Sequence, residues 1–159
     1  AAVWSYPMKN GDKEEVIFNM INSMLLRIHQ SGHLAELSEE RLALVKEGIA
    51  CYKGIRNDIK NSLPFWPNGL ADNKDTWLCS GIKNENKAYL AVWKRYAKED
   101  TWEINLEKSL CAAGISIKEV RCIYPVKEET EFVYDMKKMK LIVSFEKQVM
   151  ARLFEIVIE

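Results

Sequence analysis

The sequence lacks an excess of charge of either sign, and this absence excludes several classes of function. Its 159 residues include 23 Lys and Arg against 23 Asp and Glu, so the formal net charge is zero. Nucleic-acid-binding proteins carry a surplus of basic residues that neutralises phosphates, so we expect no nucleic-acid partner. Long apolar runs of the roughly 20 residues that a membrane helix needs are missing as well. No signal-peptide pattern is visible at the start, and we expect no membrane partner.

The sequence also lacks a cysteine framework. Its four cysteines are far apart, and no C-x-x-C pair occurs. Secreted disulfide scaffolds are denser, and zinc sites need closer ligand spacing. We therefore expect half-buried free thiols, a reducing cytoplasmic location and no metal. The cysteines in question are Cys51, Cys79, Cys111 and Cys122.

Recognised catalytic and cofactor motifs are missing. No G-x-G-x-x-G and no phosphate-binding G-K-[ST] occurs, so we expect no nucleotide cofactor. His29 and His33 have the spacing of a metal pair, but Gln30 stands where a zinc protease has its general-base Glu, and Gly32 interrupts a helix. Ser31 lies outside any G-x-S-x-G turn. Most carboxylates fall on helix caps or solvated faces, and we assign no catalytic residue.

What the sequence does contain is two helices followed by many strands. Asp12 with Glu15 predicts an N-terminal capping box, and the apolar residues that follow cover a wide arc. We expect this first helix to be covered on more than one side. Ser38 predicts the N-cap of a second helix that ends near Pro64. Its buried stripe is predicted to comprise Leu42, Val45, Ile49, Tyr52 and Ile59.

Beyond about residue 74 the apolar residues alternate with a period of two. Seven short strands with turns between them predict an antiparallel β-sandwich. Helices followed by a run of strands indicate an α+β class with two units. The strands are predicted at Trp77, 89–93, 101–106, 120–124, 132–134, 138–145 and 153–158.

The five tryptophans divide into two groups. Trp77, Trp93 and Trp102 lie on predicted strands, where an aromatic side chain most often belongs to the core. Trp4 ends a strand-like segment and Trp66 stands between two prolines. These two are the candidates for a binding site or an interface.

Four stretches resemble the C-terminal end of bacterial, melibiase-like alpha-galactosidases of glycoside hydrolase family 36. They are AAVWSYP at 1–7, FNMINSMLLRIHQSGHLAEL at 18–37, VKEGIACYKGIR at 45–56 and LPFWPNGL at 63–70. The resemblance is distinctive over the first 70 residues and extends to about residue 95. It implies the end of a (β/α)8 barrel at 1–65, a linker at 66–75 and a C-terminal β-sandwich at 76–159. It also implies a barrel strand near Arg27–Leu34, where periodicity alone indicates only a break.

The resemblance implies a glycoside hydrolase that cleaves terminal α-linked galactose from an oligosaccharide substrate with retention. The two catalytic aspartates of the family match nothing in this chain, so we expect the chain alone to be inactive. A start without Met, inside an apolar strand, predicts a longer parent polypeptide. The residues near the predicted strand ends are candidates for the rim of the substrate site: Trp4, Ser5, Tyr6, His29, Ser31 and His33.

Two alternatives of another class fit the same sequence. The first is a non-catalytic carbohydrate-binding β-sandwich, in which an exposed Trp66 or Trp77 stacks on a sugar. The second is an oligomerisation module, because two helices alone cannot bury the apolar surface of the first 65 residues. A homo-oligomer is compatible with either interpretation.

Overall fold

The computed structural model describes residues 1–110 and 116–159, and Cys111 lies outside the described residues. The chain alternates early between strand and helix and then consists almost entirely of strands. The elements are β1 (Ala2–Ser5), α1 (Lys13–Met24), β2 (Arg27–Gln30), a single-turn 3-10 helix (Leu34–Glu36), α2 (Glu39–Ile59), β3 (Leu63–Phe65), β4 (Trp77–Lys83), β5 (Lys87–Arg95), β6 (Thr101–Asn105), α3 (Glu107–Leu110), β7 (Ile117–Tyr124), β8 (Glu131–Asp135), β9 (Lys140–Ser144) and β10 (Val149–Ile158).

Both helix starts that the sequence predicts are confirmed. Asp12 is the N-cap of α1, and its carboxylate accepts a hydrogen bond from the Glu15 N–H at 2.8 Å. Ser38 is the N-cap of α2 and accepts from the Arg41 N–H at 3.4 Å. The predicted capping box is only half formed. The Glu15 carboxylate accepts instead from the Met8 N–H at 2.9 Å and from the Arg41 guanidinium at 3.1 Å.

β1 and β2 form a two-stranded parallel sheet, joined by α1 as a crossover. The strand that the resemblance implies near Arg27 is therefore present. Gly32 follows it with φ +90°, and a Cβ atom there would lie 2.6 Å from the Pro7 carbonyl oxygen. Only glycine allows the two chain segments to approach so closely.

All seven strands predicted after residue 74 are present, in two antiparallel sheets. One sheet has the order β3-β4-β5-β10-β7, and the other has the order β6-β9-β8. β3 was not predicted, because Pro64 was interpreted as a helix terminator. It pairs with β4 in the register Leu63↔Lys83 and Phe65↔Gly81. Pro64 is tolerated there because β3 is an edge strand.

The five-stranded sheet is covered on both faces. On one face Leu90, Val92 and Phe154 share a buried cluster with Ile104 and Leu141 of the three-stranded sheet, as in a β-sandwich. On the other face Tyr89, Ala91 and Leu153 contact α1 and α2. Strands β5 and β10 are consequently buried along nearly their whole length and show no simple alternation.

The face of α2 that is buried differs from the predicted stripe. Of the predicted residues, Val45 is buried, whereas Leu42, Ile49, Tyr52 and Ile59 are only partly buried. The buried positions are Arg41, Leu44, Val45, Gly48 and Ile55. Arg41 replaces an apolar residue at one end because its guanidinium is held by the backbone oxygens of Met8 and Lys9 and by Glu15.

The architecture is therefore mixed α and β, with mainly antiparallel sheets. A complete (β/α)8 barrel is not formed by residues 1–110 and 116–159. Three described cysteines are free thiols, of which Cys79 is buried and Cys51 and Cys122 are partly buried. Over the same residues no helix is both long and apolar enough to cross a membrane.

Candidate functional site

The candidate site lies where β1 and β2 end. Side chains alternate along β1, so Trp4 and Tyr6 lie on one face and Ser5 lies on the other. Trp4 is 63% exposed and Tyr6 is 45% exposed. Ser5 is fully buried against α1, and its hydroxyl donates to the Met20 sulfur at 3.2 Å. The side chain of Ser5 therefore does not share the surface that carries the two aromatic rings.

Two aromatic contacts join the strands on the exposed face. Trp4 is the register partner of His29, and the two rings meet edge to face with centroids 5.5 Å apart. Just beyond the strand ends, Tyr6 and His33 meet at 6.1 Å with an interplanar angle of 71°. Edge-to-face packing holds these four rings in defined orientations. Four of the six predicted rim residues are thus brought together in two cross-strand pairs.

Backbone hydrogen bonds keep the two strands side by side beyond the regular sheet. The Ser31 N–H donates to the Ser5 carbonyl at 2.9 Å, and the His33 N–H donates to the Pro7 carbonyl at 3.0 Å. The Gln30 side-chain amide donates to the same Ser5 carbonyl at 3.3 Å. Ser5 and Ser31 therefore contribute through their backbone. The role of Gln30 was not predicted, because nothing in its sequence context distinguishes it from an ordinary strand residue.

Glu36 is an acidic residue in contact with this arrangement. His33 Nδ1 lies 3.0 Å from its carboxylate, and Lys9 forms an ion pair with it at 2.7 Å. The hydrogen bond from Lys9 lowers the pKa of the Glu36 carboxyl. This carboxylate is ionised at neutral pH and exposed, which suits it to orient His33 and not to donate a proton as a general acid.

The chemistry available at this face is stacking and hydrogen bonding. Aromatic rings and imidazoles offer apolar surface with polar edges, a combination suited to a hydroxyl-rich ring. Among the residues described, no group of three or more His, Cys, Asp or Glu side chains is placed to hold a metal ion. The described face carries no pair of facing carboxylates of the kind that glycoside hydrolysis requires.

Solved structures give the same arrangement of elements. A GH36 alpha-galactosidase from Geobacillus stearothermophilus in complex with 1-deoxygalactonojirimycin matches with a TM-score of 0.70 at 12% identity, over 100% of this chain and 22% of that chain. The chain has the fold of part of a family 36 alpha-galactosidase. The family resemblance of the sequence is thereby confirmed at the level of the fold. A raffinose complex from the same organism matches this family 36 fold at 11% identity with a TM-score of 0.65, over 100% of this chain and 22% of that one.

The galactosidase domain of an alpha-galactosidase-sucrose kinase also shares the family 36 fold. It matches with a TM-score of 0.59 at 15% identity, over 89% of this chain and 19% of that chain. This chain thus spans about a fifth of the length of these solved structures. No protein-family model matches the sequence, and no curated protein matches it significantly.

Proposed function

We propose that this chain is the C-terminal portion of a retaining alpha-galactosidase, in which it completes a (β/α)8 barrel and braces it with a β-sandwich. One observation carries this proposal: β1, α1 and β2 form a parallel strand–helix–strand unit whose aromatic face is exposed. Parallel sheets are normally covered on both faces and contain more than two strands. A unit with one bare face suits the end of a larger parallel barrel.

In this proposal β1 and β2 are the seventh and eighth barrel strands, and α1 and α2 are the helices that follow them. The division at 1–65, 66–75 and 76–159 puts the helical layer in the barrel and strands β4 to β10 in the sandwich. The edge strand β3 (Leu63–Phe65), which pairs with β4, lies at the boundary. Active sites of such barrels lie at the carboxyl ends of the strands. Trp4, Tyr6, His29 and His33 then line the rim of the substrate site, where Trp4 and His29 form one wall.

The substrate class follows from the fold neighbours. Two of these structures hold raffinose or 1-deoxygalactonojirimycin, which are an α-galactoside and a galactose-like iminosugar. We propose that the parent enzyme acts on terminal α-galactosides of oligosaccharides. The acid and nucleophile come from the parent outside this chain. The three free thiols among the described residues favour a reducing cytoplasm. Association of the parent into a homo-oligomer remains part of the proposal.

Comparison of this chain with its parent reading frame tests the proposal. We expect the upstream sequence to encode earlier barrel strands, with aspartates at two strand ends. The extended protein should hydrolyse raffinose, and residues 1–159 alone should not. A reading frame that starts at Ala1, or an extended protein without this activity, would overturn the proposal. Active 1–159 protein would also contradict it.

Trp4→Ala in the extended enzyme tests the rim assignment. We expect kcat/KM for raffinose to fall by about tenfold, since each lost 1.4 kcal/mol of transition-state binding costs a factor of ten. Trp102→Phe provides the control, because Trp102 lies on β6 and packs against the sandwich core. Equal losses in the two variants would show that Trp4 acts only through folding.

A further inference from the structure

A cavity lies between α1 and the five-stranded sheet. Its volume is about 420 Å³, within the range of small-molecule pockets. Phe18 and Asn22 of α1 line it on one side, and Ser80 and Trp93 of β4 and β5 line it on the other. Trp66, from the segment between β3 and β4, also lines it. None of the six predicted rim residues does.

Two hydrogen-bond donors at this cavity have no partner. Trp93 Nε1 and Arg95 Nε are both buried, and neither donates to any described group. They belong to the same face of β5, because the two residues are separated by two positions. Buried donors are almost always paired in folded proteins, so two unpaired donors at one cavity call for an explanation. Each would be satisfied by a ligand that carries acceptor oxygens.

The rest of the lining specifies the kind of ligand. Trp66 is 41% exposed although it is a large aromatic residue, and Pro67, which follows it directly, restricts its backbone. Together with Phe18, Trp66 offers apolar surface on which a ligand with a flat face of C–H groups could stack. Asn22 and Ser80 add an amide and a hydroxyl group. Apolar rings on one side and N–H donors on another match a pyranose, which has an apolar ring face and oxygens around its edge.

We propose that this cavity is a second carbohydrate site, which binds a single hexopyranose unit of a glycan. The sugar ring stacks on Trp66, and its oxygens accept hydrogen bonds from Trp93 Nε1 and Arg95 Nε. The Arg95 guanidinium also donates to the backbone carbonyls of Asn73 and Asp75. The backbone at Asn73 and Asp75 therefore contacts this guanidinium. Because the two unpaired donors are closed to solvent, the proposal requires this segment to move when the sugar binds.

The proposal is independent of the catalytic role. A site on this side of α1 would hold a glycan while the rim acts on its end, or it would serve a protein that only binds sugars. It rests on the orphan donors and the aromatic lining alone.

Indole N–H resonances provide the test. The chain has five tryptophans, so each indole signal can be assigned by substitution. Methyl α-D-galactopyranoside is titrated into the 159-residue protein to about 50 mM, which covers affinities in the millimolar range. We expect a saturable shift of the Trp93 indole N–H, because that donor gains an acceptor. Methyl α-D-glucopyranoside and inorganic phosphate serve as parallel probes.

Substitutions then separate the parts of the site. Trp66→Ala should weaken binding about tenfold, and Trp93→Phe about three- to tenfold, the loss expected for one neutral hydrogen bond. Arg95→Lys retains the charge but removes the Nε–H donor, and should weaken binding to a similar extent. Trp102→Phe is the control, because Trp102 lies on β6 and does not line the cavity, and this substitution should leave the affinity unchanged. Urea unfolding of each variant confirms that it folds.

Several results would overturn the proposal. These are the absence of a saturable shift at Trp93, a response to phosphate but to neither glycoside, or unchanged affinity in Trp66→Ala. A shift confined to the Trp4 signal would support the proposed rim and contradict the second site. Failure here leaves the hydrolase proposal standing, since that proposal is decided by the upstream reading frame and by raffinose hydrolysis.

Discussion

The guanidinium of Arg152 on β10 forms a two-pronged ion pair with the carboxylate of Glu14 on α1, at 2.8 and 2.9 Å. Their side chains are 1% and 7% exposed, and the residues are 138 positions apart. Arg152 also donates to Thr130 Oγ1 at 2.8 Å and lies over the Phe145 ring. The pair joins the first helix of the chain to its last strand.

Removing one partner of this pair should destabilise the protein strongly. Glu14→Leu leaves a buried guanidinium without its counter-charge, and we expect a loss of about 3–5 kcal/mol in the free energy of unfolding. Urea titration measures this loss. The double variant Glu14→Leu/Arg152→Leu should recover much of it, since no unpaired charge remains. Glu40→Gln is the control. Glu40 is exposed, and its ion pair with Lys13 is long, at 3.7 Å. This substitution should lower the free energy of unfolding by at most about 1 kcal/mol.

Two thiols, the buried Cys79 and the partly buried Cys51, should make the protein less stable at alkaline pH. Burial raises the pKa of Cys51 to about 12 and that of Cys79 to about 11, from 9.0. The unfolded chain therefore releases these protons first. The stability is fully present below pH 9 and falls between pH 9 and about 11 to 12, by at most about 1.4 kcal/mol per pH unit for each thiol.

Cys79→Ala tests this dependence. Between pH 9 and 11 the variant is expected to lose stability less steeply than the unsubstituted chain. The slope of unfolding free energy against pH should differ by the amount that corresponds to about one proton. Urea midpoints at a series of pH values give that slope. An unchanged slope in the variant would contradict the assigned burial effect. Its lower stability at pH 7, from the lost sulfur, does not enter the comparison.

Two glycines of α2 should respond differently to substitution by alanine. A Cβ at Gly48 would lie 2.8 Å from the Met20 methyl and 3.2 Å from the Tyr124 ring, whereas a Cβ at Gly54 would meet nothing within 4 Å. Alanine at either position gains about 1 kcal/mol of helix propensity. Gly54→Ala should keep this gain. Gly48→Ala should be less stable than Gly54→Ala by about 1–3 kcal/mol, because Tyr124 is buried and cannot move away.

Thermal or urea unfolding of both variants decides the point. The two substitutions share the same helix, so the difference between them isolates the packing effect. Similar stability in both variants would mean that α2 moves away from Tyr124 without cost. Met20→Leu in the Gly48→Ala background would then show whether Met20 or Tyr124 moves to accommodate the added methyl group.

Hydrogen exchange should identify the parallel pair as the least protected sheet. β1 and β2 hydrogen-bond only to each other among the described strands, and Trp4 leaves one face open. β5 and β10 are central and buried on both faces. We expect amides of β1 and β2 to exchange much faster than those of β5 and β10. Protection of β1 and β2 should rise in the extended protein; equal protection in both contexts would argue against the barrel role.

Local patterns in the sequence determined much of this protein. Asp12 and Ser38 cap their helices because each side-chain oxygen accepts from an unpaired N–H in the first turn of its own helix. Such a contact needs no residue that is distant in the sequence. Ile104 on β6, and Leu141 and Val143 on β9, occupy every second position of an apolar pattern, and all three are buried. A period of two therefore predicted which face of each strand is buried. These signals are short-range, so one sequence suffices to read them.

The tertiary structure alone decided which surfaces meet. Trp4 and His29 are paired by a parallel register, and Arg152 finds Glu14 across nearly the whole chain. Periodicity cannot place β3 or the buried face of α2, because both depend on the neighbour that covers them. The cavity at Trp66 and Trp93 arises in the same way. Its lining comes from four separate segments, whose proximity is set by how the layers pack.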